Sequence, residues 1–154
     1  MTTATAPTDA SHLLKASVIN GAINAVINGA IQFVMLRGHG PVALTADAIS
    51  TTEHTVLGSA VPLAVMLAMI LTAVTHLTIK GPKPPFFPGV FWLTLKHGFF
   101  AFGVVVTAAV LWQRAVGTVD VSVGSAVVIL GIIAGLVAGV VHYMTTLASM
   151  ELRP

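Results

Sequence analysis

The chain has 154 residues, of which 56% are hydrophobic and only 8% are charged. A soluble domain carries about 25% charged residues, so this composition excludes an ordinary soluble domain and indicates an integral membrane protein. The formal net charge is +2, and no cluster of basic and aromatic residues points to nucleic acid. Cysteine is absent, which excludes disulfides and thiolate metal sites.

The first residues are polar and rich in Thr and Ala, so we expect residues 1–12 to be a flexible cytoplasmic tail. Residues 13–154 are predicted to form a single transmembrane domain. Crossing a bilayer core of about 30 Å takes about 20 helical residues. Four apolar stretches are long enough, at residues 13–36, 55–79, 90–112 and 121–147. The predicted fold class is therefore all-α, with four transmembrane helices in an antiparallel bundle.

The first stretch carries a polar side chain at nearly every fourth position. Residues three or four apart are neighbours on one helix face, so these side chains form a stripe. The members of this amide stripe are Ser17, Asn20, Asn24, Asn28 and Gln32. Polar groups in lipid are costly unless protein or water satisfies them. We expect the amide stripe to face a close neighbouring helix or a narrow water path.

Two interpretations of the amide stripe remain open. As interhelical glue, amide hydrogen bonds in membranes contribute about 0.6 kcal/mol each, so four would contribute about 2–3 kcal/mol and fix one packing register. As a conduction path, neutral amides would replace the hydration of a solute without adding a fixed charge. No Asp or Glu falls inside the four stretches, which argues against proton pumping through a membrane carboxylate.

Small residues lie beside the amide stripe and recur in the last stretch. Small residues four apart allow two helix backbones to approach closely. The helix-packing candidates are Gly21, Ala25, Gly29, Gly131, Gly135 and Gly139. We expect the two ladders to pack against each other, or against their copies in another subunit. Because two helices carry such ladders, we predict a homo-oligomer.

The two halves of the chain resemble each other weakly. Arg37–Thr45 resembles Arg114–Ser122 at an offset of 77 residues. The same offset relates Ser17, Asn20 and Gly21 to Thr94, His97 and Gly98. Pseudo-symmetric repeats of this kind occur in transporters, so an alternative description of the bundle is two tandem helical hairpins.

Positive charges indicate the orientation in the membrane, because Lys and Arg accumulate on the cytoplasmic side. If the four helices alternate in direction, five of the seven basic residues fall on the side of the termini. They are Lys15, Lys80, Lys83, Lys96 and Arg153. We therefore expect both termini in the cytoplasm, with the protein in a bacterial-type cytoplasmic membrane.

Four histidines fall at the predicted cytoplasmic ends of the four helices: His12, His76, His97 and His142. Imidazole binds zinc, copper or haem iron, so a shared metal or haem site is one interpretation. Interfacial anchoring of the rings is the other. No pair has metal-ligand spacing within one helix, and we predict no cofactor. The sequence also lacks a Ser/His/Asp, HExxH or phosphate-loop pattern, so we predict that the protein is not an enzyme.

These features lead to one functional prediction and two alternatives. We predict a small oligomeric channel or facilitator for a small polar solute or ion, with a path lined by the amide stripe. The first alternative is a non-catalytic subunit or assembly factor of a membrane complex, whose stripe binds a partner helix. The second is a haem- or metal-binding membrane protein.

Overall fold

The computed structural model describes residues 7–47, 49, 54–79 and 85–151, with the backbone alone for residues 7–9 and 151. A distorted π-helical turn, Phe86–Val90, leads into the third long helix. The regular elements in chain order are α1 (Pro7–Leu36), β1 (Val42–Leu44), α2 (Val56–Thr78), α3 (Phe91–Ala115), β2 (Val119–Val121) and α4 (Val123–Glu151).

The described part of the chain contains four helices that are long and apolar enough to cross a membrane, which confirms that part of the predicted fold. Their outer surfaces carry large apolar side chains, such as Val26 at 73% and Phe99 at 74% exposure. Apolar surfaces of this extent are characteristic of membrane contact rather than of a monomer in water. The structure therefore fits a helical membrane protein.

Three of the helices, α1, α3 and α4, extend beyond one end of the predicted apolar stretches, whereas α2 lies within its stretch. α1 begins at Pro7, so residues 7–12 are part of this helix, and residues 1–6 lie outside the described part. The flexibility expected of residues 1–12 stays a prediction. Proline suits a first helical position because its fixed φ is helical and its missing N–H needs no partner there. α3 likewise continues to Ala115 and α4 to Glu151, because helix hydrogen bonding continues into the polar ends of each apolar stretch.

The four helices lie in the order α1–α4–α2–α3. α1 packs along α4, α3 packs along α2, and α2 and α4 contact each other in the middle. The first helix of each half therefore packs mainly on the second helix of the other half. In this exchanged packing the small residues of α1 and α4 meet in close contact, and the duplication of two tandem helical hairpins stays a prediction.

Two short strands, which the all-α prediction does not include, join the halves. β1 and β2 pair antiparallel, with Val42 opposite Val121 and Leu44 opposite Val119. The ladder is centred on Ala43 and Asp120, which are themselves 77 residues apart. This pairing brings the ends of α1 and α3 and the starts of α2 and α4 to one end of the molecule. We call it the strand end, and the opposite end the termini end.

The buried faces of α1 and α3 correspond at the same offset of 77 residues. On α1 the buried positions include Leu13, Ser17, Gly21, Asn28 and Gln32. On α3 and the turn before it, the equivalent buried positions are Val90, Thr94, Gly98, Val105 and Ala109. The same helix face is thus used twice. Because Val and Ala pack this face on α3, packing alone does not require the amides of α1.

Candidate functional site

α1 and α4 approach each other closely through their small residues. A methyl group placed on Gly21 would lie 2.7 Å from the carbonyl oxygen of Gly135. One placed on Gly131 would lie 3.0 Å from the carbonyl oxygen of Ala25. The structure brings the helix-packing candidates together within one chain, namely Gly21, Ala25, Gly29, Gly131, Gly135 and Gly139. This contact fixes the rotation of α1 about its own axis.

That rotation places the amide stripe at a cleft between α1 and α2. Because α4 lies between these two helices, they do not pack extensively on each other. At the strand end of this α1/α2 cleft, a cavity of about 410 Å³ is lined by Asn28 and Gln32 of α1 and by Ser59 and Pro62 of α2. Asn20 and Asn24 are half-buried and continue the stripe along α1. Asn28 and Gln32 therefore line the cleft directly, and Asn20 and Asn24 lie on the same stripe of α1 between the residues that line its two ends.

The amide stripe is held largely by hydrogen bonds within its own helix. The Asn24 side-chain nitrogen Nδ2 donates to the backbone oxygen of Asn20 at 3.0 Å and to the Asn20 side-chain oxygen Oδ1 at 2.8 Å. The Asn28 Nδ2 donates to the backbone oxygen of Asn24 at 2.9 Å. Within the described residues, no hydrogen bond reaches the Gln32 amide or the Oδ1 atoms of Asn24 and Asn28.

These unpaired amide groups are accessible. Across the described part of the chain, every fully buried side-chain nitrogen or oxygen has a hydrogen-bond partner. The unpaired atoms of Asn24, Asn28 and Gln32 must therefore reach the molecular surface. Asn28 and Gln32 are only 9% and 8% exposed overall, so what they expose is a small polar surface within the narrow cleft. A small molecule in the cleft could hydrogen-bond to it.

The α2 wall of the cleft changes character along its length. At the strand end it offers the Ser59 hydroxyl, and Pro62, which has no N–H, leaves the Gly58 carbonyl without its helical donor. Farther along, the wall is apolar, with Leu63, Met66, Leu67 and Ile70. Met66 and Ile70 are more than half exposed, so the cleft is open along one side in the single chain.

A second cavity, of about 310 Å³, lies at the termini end between α1, α2 and α4. It is lined by His12, Thr75, His142 and Thr146, among others. The Ser17 hydroxyl lies 3.0 Å from the His142 Nδ1 atom, a hydrogen bond that links the amide stripe to α4. His12 and Gln32 are twenty residues apart on α1, which corresponds to about 30 Å of helix.

The structure does not assemble the four-histidine site. His12 and His142 line the same cavity, but His97 is only 3% exposed within the helix packing and His76 lies against Phe86, with ring centroids 6.2 Å apart. Among the residues that the structure describes, no group of three His, Asp or Glu lies close enough to hold a metal ion. The four histidines were predicted to lie at a similar depth in the membrane. Their rings nevertheless do not converge, because they face different directions around their helices.

Sequence reasoning missed the environment of His97. Its Nδ1 atom lies 2.8 Å from the Thr72 hydroxyl and 3.4 Å from the Thr145 hydroxyl. The Thr72 hydroxyl also donates to the backbone oxygen of Ala68 at 2.8 Å. The contact between His97 and Thr72 fastens α3 to α2. A sequence signal for this contact exists, because Thr72 and His97 are polar residues inside two apolar stretches.

Sequence reasoning also missed a polar cluster around Gln113 at the strand end. The Gln113 side-chain oxygen accepts hydrogen bonds from the Thr45 hydroxyl at 3.2 Å and the Ala46 backbone N–H at 3.0 Å. Its nitrogen donates to Asp47 at 3.1 Å and to Thr118 at 3.2 Å. The cluster ties the segment after β1 to the end of α3.

The α1/α2 cleft is the site in which accessible polar groups, cavities and the amide stripe coincide. Comparisons of the chain with protein-family models, with curated proteins and with solved structures find no match. The chemistry of the cleft is therefore the basis for inferring function.

Proposed function

We propose that this protein is an oligomeric membrane facilitator, in which a small polar solute passes along the α1/α2 cleft. The observation that carries this proposal is the row of polar groups on α1 from His12 to Gln32, with unpaired, accessible amide atoms in the cleft. Its length of about 30 Å matches the thickness of the hydrocarbon core. The two cavities, of about 310 and 410 Å³, fall in the range typical of small-molecule sites.

Conduction explains the amide stripe better than glue does. The glue interpretation needs amide hydrogen bonds to a second helix, whereas the amides of Asn24 and Asn28 bond to their own helix. The contact from the stripe to α4 is made by Ser17. On α3 the equivalent face packs with Val105 and Ala109, which shows that apolar residues can fill this position.

A second copy of the chain would close the open side of the cleft. Amide groups that lipid reaches are costly, so a path of this kind needs a protein cover. The rim of the cleft carries the exposed apolar side chains of Met35, Met66 and Ile70. These side chains would pack against another subunit while the amides inside remain hydrated.

The distribution of charge supports an orientation with the termini end in the cytoplasm. Lys15 and Lys96 lie near the starts of α1 and α3, at the termini end. Arg37 and Arg114 lie at the strand end. Lys80, Lys83 and Arg153 lie outside the described residues, but in the sequence they follow α2 and α4. With these three residues counted by their sequence positions, the predicted excess of Lys and Arg at the termini end favours the cytoplasmic membrane with both termini inside.

Flux into liposomes tests the proposal. The purified protein is reconstituted, and uptake of glycerol and urea, together with K⁺ and Cl⁻, is compared with uptake by empty liposomes. A solute hydrogen bond contributes about 0.5–1.5 kcal/mol, and about 1.4 kcal/mol changes a rate tenfold. The double variant Asn24→Leu/Gln32→Leu is therefore expected to lower the conducted flux by roughly tenfold or more.

The matched control is Thr107→Val, which removes a polar group from an exposed position of α3 away from the cleft. This variant is expected to conduct as the wild type does. If wild-type proteoliposomes take up every solute no faster than empty liposomes, the facilitator proposal is wrong. If the double variant conducts at the wild-type rate, the path does not follow the amide stripe.

A second candidate function is a non-catalytic subunit of a membrane complex. The observation that favours it is that α1 packs extensively on α4 alone and leaves Ile19, Ile23 and Ile27 about half exposed. A photo-crosslinking residue at Ile23, with one at Phe99 as control, would distinguish the two candidates in native membranes. Crosslinking of α1 to its own copy supports the facilitator oligomer, and stoichiometric crosslinking to one different polypeptide supports the subunit.

A further inference from the structure

The amide stripe offers different hydrogen-bonding groups at successive positions. The Asn24 Nδ2 donates to two oxygens of Asn20, so the group of Asn24 that has no partner among the described residues is its side-chain oxygen. This assignment is forced, because a backbone carbonyl can only accept and its partner must be the N–H side of the amide. Asn20 is the reverse: its side-chain oxygen is engaged, and its N–H groups have no partner among the described residues.

Donors and acceptors therefore alternate along the path. Asn28 retains a free oxygen and one free N–H, and Gln32 retains both groups of its amide. A solute moving from Gln32 towards Asn20 meets an acceptor at Asn24 and then donors at Asn20. Only a solute that both donates and accepts hydrogen bonds can exchange its water partners for protein partners at every step.

Among the described residues, no Asp, Glu, Lys or Arg lines either cavity. The α2 wall is polar at Ser59 and Thr75, near its two ends, and apolar at Leu63, Met66, Leu67 and Ile70. Farther from the strand end, the α2 side of the cavity that Asn28 and Gln32 line is formed by Met66, Leu67 and Ile70. An ion leaving water needs ligands around its whole surface, and these three side chains supply none. A solute with hydroxyl or amide groups on one side and C–H surface on the other matches both walls.

We infer that the conducted solute is a small uncharged molecule that both donates and accepts hydrogen bonds, such as a polyol or a primary amide, and that ions are excluded. This inference rests on the proposed facilitator function. It narrows the class of solutes from small polar molecules and ions to neutral ones with both hydrogen-bonding capacities.

The test compares four probes in the same proteoliposomes: glycerol, urea, K⁺ with Cl⁻ as counter-ion, and trimethylamine N-oxide. Trimethylamine N-oxide is a small dipolar solute that accepts hydrogen bonds but cannot donate them to the Asn24 oxygen. We expect glycerol or urea to enter roughly tenfold faster than into empty liposomes, while K⁺ and trimethylamine N-oxide stay at the rate of empty liposomes. Asn24→Leu is expected to abolish the difference between glycerol and trimethylamine N-oxide, with Thr107→Val unchanged.

The outcomes separate the two proposals. If K⁺ or trimethylamine N-oxide enters as fast as glycerol, the inferred selectivity is wrong while the facilitator function stands. If no probe enters faster than into empty liposomes, the facilitator function fails and the selectivity fails with it. Elution volume and near-ultraviolet circular dichroism of Asn24→Leu establish that the variant is folded. Asn24→Gln, which keeps the amide but moves it, is a second variant, and it is expected to lose the discrimination between glycerol and trimethylamine N-oxide as well.

Discussion

The contact between α1 and α4 predicts a large effect from a single added methyl group. In Gly21→Ala, the new Cβ would lie 2.7 Å from the carbonyl oxygen of Gly135, whereas ordinary contacts begin at 3.4 Å. The two backbones would have to separate locally by about 0.7 Å, and neither can rotate away as a side chain could. Overpacking of this kind costs about 1–3 kcal/mol.

Gly103→Ala provides the matched control, because Gly103 lies in the middle of α3 and a Cβ there would meet nothing within 4 Å. Both substitutions gain the same helix propensity, about 0.8–1.0 kcal/mol for Gly to Ala in water. That gain cancels in the comparison. The free energy of unfolding of Gly21→Ala is therefore expected to be about 1–3 kcal/mol lower than that of Gly103→Ala.

Unfolding would be measured by titrating the protein in mild detergent with sodium dodecyl sulfate and following its near-ultraviolet circular dichroism. Because α1 packs extensively on α4 alone, no other contact compensates for the loosened packing. Equal unfolding free energies for the two variants would refute the reasoning, since they would mean that α1 and α4 are not in backbone contact at Gly21.

Three further predictions follow from the polar contacts and the turns. Thr72→Val keeps the volume but leaves the buried His97 ring without its 2.8 Å partner. The variant should lower the unfolding free energy by about 1–3 kcal/mol, and the exposed Thr107→Val is the neutral control. Gln113→Leu removes the acceptor of the Ala46 N–H, so hydrogen exchange at that amide should accelerate while exchange in the middle of α2 does not; unchanged exchange at Ala46 would show that the bond does not form. Gly117 has φ +81°, so Gly117→Ala should lower stability by about 1–2 kcal/mol through backbone strain, whereas Gly40→Ala, at a position without positive φ and with nothing within 4 Å, should not.

The positions of the membrane helices could be predicted from the sequence because composition dominates their formation. An apolar stretch of about 20 residues is stable in lipid only as a helix, whatever it packs against. The residues that α1 contributes to the cleft were also identifiable, since the repeated spacing of Asn20, Asn24 and Asn28 places them on one face. Glycine ladders similarly mark which faces can approach closely.

The remaining features depend on contacts between distant parts of the chain. The sequence does not specify that α4 separates α1 from α2, and without that separation there would be no cleft beside Asn28 and Gln32. The partners Thr72 and His97, and Thr45 and Gln113, are 25 and 68 residues apart, so no local pattern joins them. β1 and β2 have three residues each, too few for an alternating pattern to be recognised.

The exchanged packing of the helices means that neither half of the chain encloses its own core. α1 is held by a helix from the second half, α3 is held by a helix from the first, and β1 and β2 join the two at the strand end. The halves are interlocked as the subunits of a domain-swapped dimer are. The peptide link between α2 and α3 is then not required to hold the two halves together. Two separately synthesised half-chains would carry all the contacts needed to assemble the same molecule.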